Sequence, residues 1–263
     1  MFASVFLACT LLGSVVGFFA GLLGIGGGLI IVPVLVYLLP LLGISSEVAL
    51  PMALATSLAS IIFTSSSATR AHHKNGNIPW HIAKQLVFTV AIGGVLGAII
   101  AGSLSLNALT NLFASAVFML AIYMFLSIRV ERSVALPNHA MLATIGLLSG
   151  IIASLMGIAG GAILVPILMY CSLTMRQAIG VATVCGIVVA FFGALGYIFI
   201  APAQAILPQW SLGYIYLPAL LGIVLTSSLC APIGVKVAAR LPVSHLKKGF
   251  AVFLMLVAIK MMF

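Results

Sequence analysis

Long uncharged apolar runs fill this chain and leave little else. Ten can be marked, at 2–23, 28–42, 48–69, 80–104, 107–128, 140–156, 161–171, 177–201, 212–235 and 244–263. A helix needs about 20 such residues to cross the hydrocarbon core of a membrane. Most of the runs meet that length, and the second and seventh fall short. Charged residues are 5% of the 263, where a soluble domain carries about a quarter, so the chain cannot coat a water-facing surface. A membrane β-barrel needs polar residues at alternate positions, and these runs are continuous. The expected fold is therefore all-α, a polytopic integral membrane protein. The first run has no basic residue ahead of it, so it reads as a membrane helix and not a cleaved leader.

The formal net charge is +9, from eleven Lys and Arg against two acids. No basic run interleaved with aromatics points to nucleic acid. The placement of the charges carries more. Arg70, Lys74, Lys84, Arg129, Arg132, Arg176, Lys236, Arg240, Lys247 and Lys248 all lie in or beside the loops after runs three, five, seven and nine. Only Lys260 is left over. Basic loops stay on the cytoplasmic side, which puts both termini outside the cell's inner (plasma) membrane. Pairing runs one and two, or six and seven, as re-entrant segments leaves that parity unchanged.

The second and seventh runs each follow a glycine break, and the breaks match. "GLLGIGGGLIIVPVLVY" (21–37) agrees with "SLMGIAGGAILVPILMY" (154–170) at 10 of 17 positions, more than shared apolarity gives. A weaker match joins 104–124 to 241–261. The halves are then about 1–130 and 138–263 within one transmembrane domain. Five runs per half would invert the second half. The loop after run three is basic and its partner "APAQAILPQW" is uncharged, whereas "VKVAARLPVSHLKK" is basic and its partner near Ser103 is not. Charge changes sides between halves, as expected of inverted-topology repeats with glycine-broken or re-entrant helices.

Gly24, Gly27 and Gly28 match Gly157, Gly160 and Gly161, Gly26 matches Ala159, and Pro33 matches Pro166. A helix restarting after a glycine break presents unpaired amides and partial positive charge, which bind anions without a charged side chain. The prolines, unable to accept the bond pattern of a helix interior, read as hinges. The competing reading is close helix packing through small residues. The third run adds a polar stripe of Thr56, Ser57, Ser60, Thr64, Ser65, Ser66 and Ser67. Thr56 and Ser57 are candidate contacts for a carboxylate- or sulfonate-type anion, against bonding to their own backbone. The aligned residues in the second half are Val181 and Ala182, so such a site is asymmetric. Arg70 and Arg176, near cytoplasmic helix ends, are weaker candidates for gathering anions.

Several chemistries lack their residues. There is no Asp, and Glu47 and Glu131 fall in loops, so no buried carboxylate relay is available. His72, His73 and His81 have no acidic or Cys partner for a metal, and no nucleophile set suggests an enzyme. Cys9, Cys171, Cys185 and Cys230 lack ligand spacing. No cofactor is expected. The expected partners are membrane lipid and a small anionic substrate, with homo-oligomerisation open.

The stretches "GFFAGLLGIGGGLIIVPVLV", "ALATSLASIIFTSSSATRAHHKNGNIPW", "GIAGGAILVPILM" and "WSLGYIYLPALLG" resemble the sulfite exporter TauE/SafE family, also called TSUP, over almost the whole chain. The resemblance implies a multi-spanning permease of the bacterial inner membrane that moves sulfite, sulfoacetate or related sulfur anions, mostly outward. One departure is "AIGVATV" in the second half, where the family often has a Thr-Ser pair. A thiol-dependent thiosulfate or sulfide permease using Cys171 and Cys185, and a non-transporting membrane assembly factor, remain the alternatives.

Overall fold

The computed structural model describes residues 2–23, 27–126, 138–201, 207–238 and 243–262. It is almost entirely helical: α1 (Phe2–Leu23), α2 (Gly28–Leu41), α3 (Ser46–Lys74), α4 (Trp80–Ser103), α5 (Leu106–Leu126), α6 (His139–Leu155), α7 (Gly161–Tyr170), α8 (Met175–Phe199), α9 (Leu217–Ala238) and α10 (Val243–Met262). Side-chain caps fix several starts. Asn138 Oδ1 accepts from Met141 N at 2.9 Å. Thr174 and Gln177 form a reciprocal capping box at the start of α8, which satisfies amide donors that a helix start leaves open.

Among the described residues, α3, α4, α5 and α8 are long and apolar enough to cross a membrane. The 14 residues of α2 and 10 of α7 rise about 21 and 15 Å, less than a hydrocarbon core of about 30 Å. The outward faces confirm the solvent. Leu11 on α1 and Leu229 on α9 are each 73% exposed, within apolar stripes that only lipid covers without cost. By contrast, every residue of α3 from Met52 to Ile61 is buried. A helix buried on all sides is surrounded by protein, so α3 is the central element.

The helices associate in pairs. α1 lies along α9, and α4 along α6. Both pairs are parallel: Gly222 faces Phe6 and Cys9 while Gly17 faces Ser227, and Gly146 faces Thr89 while Gly97 faces Ile151. A Cβ on Gly97 would stand 2.6 Å from the Ile151 carbonyl oxygen. Small residues thus let backbones touch, which is how helices pack where lipid removes the hydrophobic drive. α3 crosses α8 in antiparallel sense, with Leu58 at Gly193 and Ser65 at Gly186. α2 packs on α3, α7 on α8, and α5 on α10.

One element differs from expectation. Residues 212–216 do not open the ninth helix. Ser211–Leu212 and Ile215–Tyr216 pair as a small antiparallel hairpin, and α9 begins at Leu217. Gly213, at φ 56°, makes the turn. Positive φ at the first of two turn residues is the type II′ geometry that suits a two-residue hairpin. The helix α3 also runs five residues past its expected end, through His72, His73 and Lys74, basic side chains that favour a helix C-terminus.

Candidate functional site

The second glycine break can be followed atom by atom. α6 ends in a Schellman closure: Ile158 N donates to the Ala153 carbonyl at 2.9 Å and Gly157 N to the Ser154 carbonyl at 3.2 Å. That motif needs a left-handed residue, and Gly157 supplies it at φ 61°. Three residues on, Gly160 is left-handed again, at φ 68°, and α7 starts behind it. In the first half Gly27, at φ 77°, opens α2 in the same way. Gly24 and Gly26 lie outside the described residues. Pro33 and Pro166 fall inside α2 and α7, each in the second turn of its short helix.

The two breaks meet. A Cβ on Gly28 would come within 2.6 Å of the Gly157 carbonyl oxygen and 3.1 Å of Ile158 Cα. Gly157 also abuts Leu54 of α3 and Val32 of α2, and the Ala159 carbonyl fits against Gly186 of α8. The junction is therefore walled by both short helices and both central long ones. Gly161 is roomier, with only the Ala182 methyl near its missing side chain, at 3.9 Å.

Thr56 and Ser57 sit at this junction, both fully buried. Ser57 Oγ donates to the Gly157 carbonyl at 2.7 Å. Thr56 Oγ1 accepts from the Tyr216 amide at 3.0 Å. Each hydroxyl ties α3 to the other half of the chain across 100 residues or more. Further along, Ser60, Thr64 and Ser66 bond to carbonyls of their own helix.

Arg70 and Arg176 are exposed and do not reach the junction. They stand at one end of the molecule, where α3 finishes and α8 begins, together with Lys74 and Lys84. The loop there presses the Asn77 carbonyl against Gly180 of α8. Trp80 Nε1 donates to His73 Nδ1 at 3.3 Å. Arg129, Glu131, Arg132 and Arg240 lie outside the described residues. Cys9, Cys171 and Cys185 are buried free thiols, and no group of three or more metal-ligating side chains occurs among the described residues.

Three features escaped the sequence reading. Ser154, the first residue of the second motif, buries its Oγ without a hydrogen-bond partner. Tyr197, 1% exposed, reaches the Ser154 carbonyl with its hydroxyl at 3.4 Å. At the opposite end from the arginines is a cavity of about 130 Å³, lined by Glu47, Pro51, Gly102, Leu104, Tyr197 and Tyr214 among others. Burial raises the Tyr214 phenol above its ordinary pKa, so it stays neutral. A tyrosine in the apolar run "GALGYIFI" was the one available signal, since a buried phenol needs a polar partner.

A bundle of apolar helices, interrupted by two part-length helices whose preceding glycine breaks meet inside the protein, is the architecture of an integral membrane transporter. The family described as "Sulfite exporter TauE/SafE" matches residues 9–261, and the chain belongs to that family. It is 40% identical over 256 residues to a "Probable membrane transporter protein" of Haemophilus influenzae, with 97% of each chain covered. A "Probable membrane transporter protein" of Methanocaldococcus jannaschii is 25% identical over 90% of this chain and 88% of its own length. One from Bacillus subtilis is 26% identical over 74% of this chain and 78% of its own. No solved structure matches.

Proposed function

We propose that this membrane transporter carries small sulfur-containing anions, such as sulfite or organosulfonates such as sulfoacetate, outward across the bacterial inner membrane. The observation that carries the reading is the junction of the two breaks. Gly27 and Gly160 set the starts of α2 and α7 in matching left-handed geometry, and Gly28 packs on Gly157. Each break restarts a helix whose open amides and positive dipole end suit an anion, and the start of α2 lies against the turn of the second break. Gly24, Gly26, Gly27, Gly28, Gly157, Gly160 and Gly161 form the walls of the site. Thr56 and Ser57 become polar contacts when their interhelical bonds open, and Pro33 and Pro166 serve as hinges.

The halves 1–130 and 138–263 act as inverted repeats. The pairing of α1 with α9 and of α6 with α4 supports this, because exchanging the halves turns one pair into the other. The positive-inside rule places the arginine-bearing end in the cytoplasm and both termini outside. Arg70 and Arg176 then raise the local anion concentration at the inner mouth. The name of the matched family supports sulfite as cargo. Purified protein in liposomes, assayed for labelled sulfite flux with a pH gradient and competing anions, tests the reading. Absence of flux above empty liposomes overturns it.

A further inference from the structure

The two ends of the molecule differ in the charges they present. The end with Arg70, Lys74, Lys84 and Arg176 is positive. Among the described residues, Glu47 is the only charged side chain that lines the cavity at the other end. Glu47 is exposed, and none of the other charges at that end lines the cavity. Lys260 instead stands over the Tyr37 ring at 4.6 Å. The cavity leads inward. Its lining includes Tyr197, whose hydroxyl contacts the Ser154 carbonyl, three residues before Gly157. Tyr197 therefore touches both the cavity and the last turn of α6, which leads into the second break.

We propose that this cavity is the outer mouth of the anion pathway and that Glu47 makes it a poor acceptor of anions. The inference rests on the transport reading above. A fixed negative charge beside an approaching anion raises its energy there. It cannot drive net flux. It lowers affinity from one face and leaves the other face, with its arginines, unaffected. An exporter so built releases its cargo readily and is refilled from outside only at higher anion concentration. The competing role for Glu47 is local: an acid in the first turn of α3 stabilises the helix through its dipole.

The two roles separate in sided membrane vesicles. The half-saturation constant for labelled sulfite uptake is measured in right-side-out and in inverted vesicles. Glu47→Gln should lower it roughly three- to tenfold in right-side-out vesicles and leave it unchanged in inverted ones. Glu47→Asp, which keeps the charge, should behave as the wild type. Raising external impermeant salt should lower the constant of the wild-type protein itself by screening, a test that needs no variant. An unchanged constant in Glu47→Gln, a shift shared by Glu47→Asp, or indifference to salt overturns the role of Glu47 while transport stands. Absence of wild-type flux in either orientation sinks the transport reading and this one with it.

Discussion

At Gly27 the backbone stands at φ 77°, ψ −23°, and at Gly160, 133 positions later, at φ 68°, ψ −13°. The two breaks thus repeat in conformation, but their neighbours do not. Beside the second break α3 supplies Ser57, hydrogen-bonded to the Gly157 carbonyl. Beside the first break, at Gly28, α3 supplies the Ile61 methyl instead. Gly28 has a carbonyl pressed against it, and its counterpart Gly161 has space. The loops that lead into α4 and α9 differ similarly. One packs Asn77 against Gly180, and the other hangs the Tyr216 amide on Thr56. Backbone geometry is the shared part, and the polar chemistry is concentrated on α3. In the transport reading proposed above, α3 is the chemically distinct wall of the site.

The comparison can be broken most sharply at Gly28 and Gly161. Gly28→Ala drives a Cβ into the Gly157 carbonyl, and flux should vanish with protein still present in the membrane. Gly161→Ala meets only ordinary contact and should retain most flux. Equal effects at the two positions would contradict the structural difference. Next in size is Ser57→Ala, which strands a buried carbonyl at a cost of about 1–3 kcal/mol. It should lower both flux and the unfolding midpoint in detergent, whereas Ala182→Ser should change neither appreciably. Gly160→Ala has room, with the nearest atom at 3.6 Å, so it isolates left-handed strain of about 1–2 kcal/mol. A partial loss of flux is expected there. Arg70→Gln and Arg176→Gln should weaken apparent affinity from the cytoplasmic face only, with the difference fading at high salt. The smallest effect belongs to Cys171→Ser and Cys185→Ser. Unchanged flux is expected, and a large loss would favour a thiol-dependent permease.

Sequence reasoning reached the elements whose signals are local. The starts of α2 and α7 and their short lengths follow from the glycine breaks, whereas the caps Asn138 and Thr174 emerged only in the structure. It could not reach what depends on contacts between distant segments. Nothing near Ser57 in the chain announces that Gly157 is its partner, and the hairpin that claims Thr56 comes 160 residues later. The hairpin itself hid inside an apolar run, because "SLGYIY" carries no charge and runs directly into the helix behind it. Only Gly213 hinted at a turn. The cavity beside Glu47 is assembled from α3, α4, α5, α8 and the hairpin, so no single stretch encodes it. Glu47, expected in a loop, instead falls in the first turn of α3, where its side chain is exposed.

The central claim is that the anion crosses where the two breaks meet. Labelled sulfite flux in liposomes holding Gly27→Leu or Gly160→Leu, compared with the wild type at equal membrane insertion, tests it most directly. The account predicts flux for the wild type and none for either variant. Wild-type flux in both variants would contradict it.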